Sequence, residues 1–257
     1  MCMKLQKNFY NHMQIKTAMI LAGGRGTRYK EETELIPKPM IMANGRPLIE
    51  YIMMTYANYD VKNFIVLAGY KHEVIFNYFE KKSIEFDVDG NFIVENNLRI
   101  NVLNTGLNTE TGGRIKQGIK YLDEEHFYLT YGDGISDINI NDLTNFHFSQ
   151  NTLGTVTAVR PPARFGSLAI ENNLVKNFAE KDNANEGYIN GGYFVLNKSI
   201  DNYIFDNDVF EQRPLKKLSN NKLLSAFKHN GYWRPVDTIR ELELLESELD
   251  DGKISFK

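Results

Sequence analysis

The sequence predicts an α/β protein with an open, mostly parallel, Rossmann-like sheet, helices on both faces and a β-rich second half. Three observations carry this. First, residues 15–21, 64–68 and 127–131 are short, continuous apolar runs, each followed within a residue or two by glycine, as strands buried on both faces are. Second, segments with apolar residues at helical spacing lie between these runs, and strand–helix alternation favours parallel neighbours covered by helices. Third, beyond Gly154 extended segments follow one another more closely.

Each element follows from its local pattern. Residues 1–14 are polar and mixed and read as an extension, so a single domain is expected over 15–257. The strand at 15–21 runs into a glycine-rich loop, and Pro37-Lys38-Pro39 reads as extended. Residues 47–56 form a helix with proline at a first-turn position. A strand at 64–68 and a short helix at 72–79 follow. Residues 85–103 alternate around Asp89-Gly90, the pattern of a hairpin. A helix at 113–121 precedes the strand 127–131, which ends at Gly132-Asp133-Gly134, and 141–149 is helical again. In the second half, 155–160, 167–170, 175–179 and 193–196 read as extended, and 214–218 and 239–249 as helical.

Composition excludes several classes. With 42% hydrophobic and 25% charged residues in a chain of 257, a globular core is available. The balance of 30 basic and 33 acidic residues, net −3, lacks the basic excess of a general nucleic-acid binder. The one cysteine, Cys2, forms no intramolecular disulfide and no CxxC site, and the 5 histidines make no HExxH pair. No apolar run approaches ~18 residues and no secretory leader precedes the fold, so no membrane partner and a cytoplasmic chain are expected.

Four segments carry possible chemistry. Leu21-Ala22-Gly23-Gly24-Arg25-Gly26-Thr27-Arg28 places a glycine-rich loop directly after the first strand. Backbone there can approach a ligand closely, and its N–H groups, Arg25 and Arg28 suit phosphate oxygens, as does Lys38 between its prolines. The loop fits neither the Walker nor the Rossmann glycine pattern, and a plain turn with surface arginines is the alternative. Tyr131-Gly132-Asp133-Gly134 sets a carboxylate at a strand's carboxyl end, where open α/β sheets bind ligands. Asp133 suits Mg²⁺ against phosphate, though Asp-Gly is also a favoured turn pair. Glu180-Lys181 with Ile189-Asn190-Gly191-Gly192 could meet an anion and hydroxyls, or be solvated strand ends. Trp233-Arg234-Pro235-Val236-Asp237-Thr238 precedes a helix that Asp237 or Thr238 could simply cap.

Taken in this order, the motifs resemble the sugar-1-phosphate nucleotidylyltransferases, and within them the cytidylyl branch that acts on glucose 1-phosphate. The similarity runs from about Lys16 to Arg240. It rests on Ala22–Arg28, Pro37–Met40, Gly69-Tyr70-Lys71, Thr105-Gly106, Thr111-Gly112-Gly113-Arg114, Tyr131–Gly134, Arg164-Phe165-Gly166, Glu180-Lys181, Ile189–Gly192 and Pro235–Thr238. The resemblance implies transfer of a cytidylyl group from CTP to a sugar 1-phosphate, with Mg²⁺, for CDP-sugars of surface polysaccharide, in a homo-oligomer. It implies that Leu21, Ala22, Gly23, Gly24, Thr111, Gly112, Tyr131 and Gly132 lie along the nucleotide. Thr27, Arg28 and Lys38 would hold the triphosphate, and Asp133 and Asp237 the metal. Lys181 would grip the acceptor phosphate, with Glu180, Asn190, Gly191, Arg114, Trp233 and Arg234 on the acceptor side. Arg28, Lys38, Asp133, Lys181 and Asp237 would make up the catalytic set.

The sequence also departs from the family's pattern. Ile36 stands where a lysine is common, Asp182 where a proline follows Glu-Lys, and Arg234 where glutamine is frequent. Arg234 adds a cation near Asp237, which raises the expectation that it faces the crevice and sets acceptor choice. An acceptor other than glucose 1-phosphate is the alternative it motivates.

Overall fold

A computed structural model describes residues 14–26, 36–161, 167–171, 174–179 and 187–256. In chain order the strands are β1 (Thr17–Ala22), β2 (Met42–Ala43), β3 (Arg46–Pro47), β4 (Asn63–Ala68), β5 (Glu85–Phe86), β6 (Phe92–Val94), β7 (Leu98–Asn104), β8 (His126–Tyr131), β9 (Gly134–Ser136), β10 (Gly154–Val159), β11 (Ser167–Glu171), β12 (Leu174–Ala179), β13 (Ile189–Asn197), β14 (Leu224–Lys228) and β15 (Trp233–Pro235). The α-helices are α1 (Leu48–Ala57), α2 (His72–Lys82), α3 (Thr111–Ile119), α4 (Ile140–Gln150), α5 (Arg213–Asn220) and α6 (Ile239–Asp250).

The main sheet has nine strands in the order β14-β10-β13-β8-β1-β4-β7-β6-β5. Its centre, β8-β1-β4-β7, is parallel throughout, so four carboxyl ends open on one edge of the sheet. Strands β13, β6 and β5 join antiparallel at the flanks. The continuous apolar runs are explained by burial on both faces. Ala18, Ile20 and Ala22 of β1 point into one cluster with α1, α2, α4 and α6, while Met19 and Leu21 point into another with α3 and α5. Strands β4, β8 and β13 alternate in the same way: Phe64, Val66, Tyr128 and Tyr193 face the first cluster, and Ile65, Leu67, Leu129 and Phe194 the second. Each such side chain contributes roughly 1.5–3 kcal/mol relative to exposure. Together they hold the central strands, and hence their carboxyl ends, in place.

The structure differs from the sequence reading in four places. Lys38–Met40 is a turn of 3₁₀-helix rather than an extended segment, with only Pro37 extended before it. Proline's fixed φ suits a first helical position as well as an extended one, so Pro39 left both open. The segment 85–103 is not one hairpin. β5 and β6 turn at Asp89-Gly90, and β6 then turns again through Asn96 and Asn97, both at positive φ, into β7. Helix α3 starts two residues earlier than expected, at Thr111. Finally, β14 pairs in parallel with β10 at one edge, from a half-exposed segment with weak alternation. Residues 1–13 lie outside the described residues.

Candidate active site

A cleft of about 380 Å³ opens at the carboxyl ends of the central strands. One wall is formed by Leu21, Ala22, Gly23 and Gly24 at the end of β1, and the other carries Tyr131, Gly132 and Asp133 at the end of β8. Gly132 is glycine for a packing reason: a Cβ there would lie 2.7 Å from Pro39 and 2.9 Å from the Leu21 carbonyl. Its N–H donates to that carbonyl at 3.1 Å, which locks the two walls together.

Asp133 and Asp237 arrive from opposite directions. Asp133 leaves the end of β8, and Asp237 follows β15, which pairs with β9. The Val236 N–H donates to the Asp133 carbonyl at 3.0 Å and fixes their spacing. Thr238, not Asp237, is the N-cap of α6: its side chain accepts from the Glu241 N–H. The Asp237 carboxylate is therefore directed into the cleft, where it and Asp133 converge on one cation, the Lys38 ammonium, at 2.5 and 2.6 Å. Burial alone would lower the lysine pKa, but the charges and hydrogen bonds of the two aspartates raise it above its ordinary value, so the ammonium stays charged.

This arrangement also tests the fit of a divalent ion. A single cation already sits between two carboxylates, and Mg²⁺ takes one or two carboxylates together with phosphate oxygens. Among the described residues no group of three or more His, Cys, Asp or Glu encloses a metal. Among the described residues the two aspartates are thus the carboxylates that could hold such an ion, at an open cleft.

Arg114 lies beneath the glycine-rich loop. It is 4% exposed, and its guanidinium donates to the Ala68 carbonyl (3.2 Å), Thr105 Oγ1 (2.5 Å), the Gly106 carbonyl (2.9 Å) and the Gly23 carbonyl (3.0 Å). These groups sit after β1, β4 and β7, so one side chain ties three neighbouring strand ends. A Cβ on Gly23 or on Gly69 would fall inside this guanidinium. Gly112 and Gly113 of α3 are glycines because the Asp208 and Asp206 carbonyls press on them. Gly23 and Gly69 thus make room for the guanidinium, and Gly112 and Gly113 for the backbone at 206 and 208. Burial lowers the Arg114 pKa from its ordinary value.

The expectation that Arg114 binds the acceptor is corrected on this geometry: it borders the cleft, but its donors are directed at protein carbonyls and a hydroxyl. The expectation that Arg234 faces the crevice is also corrected. Its Nε and Nη2 donate to the two oxygens of Glu248 on α6 at 2.8 and 2.7 Å, in a half-buried pair, and Nε also reaches the Tyr232 hydroxyl at 3.2 Å. Adjacent strand residues point to opposite sides, and Trp233 takes the other one, where its indole N–H donates to the Gly191 carbonyl at 2.8 Å. A Cβ on Gly191 would meet Val159 at 2.7 Å. Asn190 donates to the Tyr131 hydroxyl at 2.9 Å. Thr111 lines the cleft, while Gly112 packs behind it. Thr27, Arg28, Glu180 and Lys181 lie outside the described residues. Sequence reasoning missed Glu211, which lines the cleft and binds Thr111 and Tyr131. A hundred residues separate it from Thr111, and no local pattern marks it.

A family model described as nucleotidyl transferase matches residues 17–248. The chain belongs to this family. It is 40% identical over 253 residues to the glucose-1-phosphate cytidylyltransferase of Salmonella typhi, covering 93% of this chain and 98% of the relative. A probable glucose-1-phosphate cytidylyltransferase of Bacillus subtilis is 39% identical with the same coverage. Among solved structures, HddC from Yersinia pseudotuberculosis superposes with a TM-score of 0.68 at 25% identity, over 91% of this chain and 100% of that one. The inositol-1-phosphate CTP transferase from T. maritima, at 15% identity and a TM-score of 0.67, shares the fold over 94% of this chain and 98% of its own. No helix among the described residues is long and apolar enough to cross a membrane.

Proposed function

We propose that this chain transfers a cytidylyl group from CTP to glucose 1-phosphate, giving CDP-glucose and pyrophosphate. The observation that carries the reaction class is the convergence of Asp133 and Asp237 on one cation beside a glycine-rich cleft. The near full-length likeness to glucose-1-phosphate cytidylyltransferases supports the choice of CTP and of the acceptor. An oxygen of the acceptor phosphate attacks the α-phosphorus of CTP, and the bond to the leaving pyrophosphate breaks. Little covalent chemistry is asked of the protein, so its work is positioning and charge stabilisation. Lys38 supplies a fixed positive charge at the floor of the cleft. The bare backbone at Gly23 and Gly24 lets the nucleoside lie close to the strand ends. Thr27 and Arg28 complete the triphosphate contacts, with Lys181 on the acceptor phosphate and Glu180 on the sugar.

Asp133 and Asp237 would hold magnesium, which when bound supplies positive charge to the phosphate oxygens. A homo-oligomeric assembly and a cytoplasmic setting belong to the same proposal. Arg234 no longer motivates a different acceptor, because Glu248 engages its guanidinium.

The test is a pyrophosphate-release assay in magnesium buffer, pairing CTP, UTP, dTTP, ATP and GTP with a panel of sugar phosphates. CTP with glucose 1-phosphate is expected to give the highest kcat/KM. Comparable values for dTTP and CTP would move the chain to thymidylyl transfer. Turnover with another acceptor and none with glucose 1-phosphate would replace the acceptor.

A further inference from the structure

Glu211 precedes α5 in the chain and lines the cleft together with Thr111 and Tyr131. Its Oε2 accepts from Thr111 Oγ1 at 2.7 Å, and its Oε1 accepts from the Tyr131 hydroxyl at 2.8 Å. Tyr131 in turn accepts from Asn190 Nδ2 at 2.9 Å, and Asn190 Oδ1 accepts from the Gly192 N–H at 2.9 Å. On the other side, Thr111 Oγ1 accepts from the Phe210 N–H at 2.8 Å. The direction of every bond is forced. An ionised carboxylate only accepts, so both hydroxyls donate to it, and the asparagine must turn its amide nitrogen to the tyrosine. Burial, and then the nearby Glu211 charge, push the Tyr131 hydroxyl well above its ordinary pKa, which keeps it a donor.

The network therefore ends on a carboxylate that faces the cleft. A carboxylate offers about four acceptor positions, and these two bonds leave acceptor capacity on the lining side. Such a group welcomes a hydroxyl and repels a phosphate or a carboxylate. The described cations near the cleft are directed elsewhere: Arg25 at Asn108, Arg114 at carbonyls and a hydroxyl, Arg234 at Glu248, and Lys38 at the aspartates.

We propose that Glu211 is a specificity-determining residue, which accepts a hydrogen bond from a hydroxyl of the bound sugar and disfavours negative charge at that place. The inference rests on the proposed function and narrows its substrate to sugars that are neutral apart from their phosphate. The hydroxyl belongs to the acceptor's pyranose ring.

The experiment is a steady-state comparison of wild type, Glu211→Gln and Glu211→Asp. The acceptors are glucose 1-phosphate, its monodeoxy analogues and glucuronic acid 1-phosphate, and the nucleotides are CTP and dCTP. Wild type is expected to prefer glucose 1-phosphate over glucuronic acid 1-phosphate at least tenfold. Glu211→Gln should lower kcat/KM for the natural pair by about 10- to 100-fold, the size of a lost charged hydrogen bond, and shrink that preference. One deoxy substrate should react equally with wild type and Glu211→Gln. If it is a deoxy sugar the contact is to the acceptor, as proposed, and if it is dCTP the contact is to the ribose and the acceptor role is refuted. A loss shared equally by all substrates would overturn the proposal, because it would mark Glu211 as a support for the fold. So would a wild type indifferent to the glucuronic acid charge, a result that needs no variant to fold. A wild type inactive with CTP and glucose 1-phosphate would instead refute the proposed function, whereas an active wild type with uniform variant losses refutes only the role of Glu211.

Discussion

Removing the Arg114 side chain tests whether the guanidinium and Gly23 form one joint. Arg114→Ala deletes four hydrogen bonds from a buried cation. At roughly 1.5–3 kcal/mol per charged bond, a simple sum would reach about 6–12 kcal/mol, as much as the whole stability of a typical domain. The structure argues for much less. The Gly23 carbonyl keeps the Tyr70 N–H at 3.2 Å, and the Ala68 carbonyl keeps the Thr105 N–H and hydroxyl at 2.9 and 2.6 Å. The Gly106 carbonyl loses its guanidinium donor, and the cost of desolvating the cation disappears with the side chain. A net loss of about 2–4 kcal/mol is expected, or ~5–15 °C in Tm at this chain length. Gly23 adds a second arm to the test. Its φ is not in the left-handed region, and the three atoms nearest to a Cβ there all belong to the guanidinium. Gly23→Ala should therefore be strongly destabilising alone and nearly neutral in the Arg114→Ala background. The coupling in a double-mutant cycle, read by thermal or denaturant unfolding, should exceed about 1.5 kcal/mol. Additive losses would refute the joint, as would an Arg114→Ala protein that melts within 2 °C of wild type, on the order of the shift for ~1 kcal/mol.

Three other outcomes follow from the same geometry. Asp133→Asn and Asp237→Asn should each lower kcat by at least ~10², with far-UV circular dichroism unchanged, since each removes one of the two carboxylates that hold the cation; near-normal turnover in magnesium buffer would exclude the metal role. Arg234→Gln should lower Tm by several degrees, on the order of 1–3 kcal/mol for a half-buried charged pair, and leave the ratio of kcat/KM between acceptors unchanged; altered acceptor ratios in steady-state kinetics would return Arg234 to the crevice. Burial, and then His126, lower the pKa of His147 from 6.5 to about 4. The unfolded chain therefore binds more protons than the folded one between those values. The stability this histidine contributes is complete above pH 6.5 and is lost, by roughly 3 kcal/mol, as pH falls towards 4. His147→Leu should flatten that acid limb in urea titrations at stepped pH, and an unchanged slope would contradict it.

How much of this was legible beforehand depended on whether the cause was local. The central strands were legible because burial on both faces writes itself as a continuous apolar run, as in Phe64–Ala68. β14 was not, because Leu224–Lys228 lies at an edge and buries too little to show a pattern. The glycines of the loop and of α3 were visible as motifs, but their reason was not. Gly23 and Gly69 are small because Arg114, far from both in sequence, lies against them, and Gly113 is small because of the Asp206 carbonyl. Asp133 could be placed at a strand end, yet its meaning came from Asp237, brought alongside by the β9–β15 pairing.

Arg234 shows what proximity in sequence cannot decide. It stands three residues from Asp237, and its charge invited a role beside it. Strand parity decides the matter: Trp233 turns its indole to Gly191, so Arg234 must turn the other way, towards α6. Once it is there, Glu248 and the Tyr232 hydroxyl receive its donors. Arg234 therefore acts on the site through the backbone. It pins α6 against β15, the strand from which Asp237 emerges, and α6 answers with Glu241, whose carboxylate accepts the Asp237 N–H at 2.8 Å. The carboxylate that faces the cation is thus held from behind by the helix it precedes, and the Arg234–Glu248 pair fixes where that helix lies.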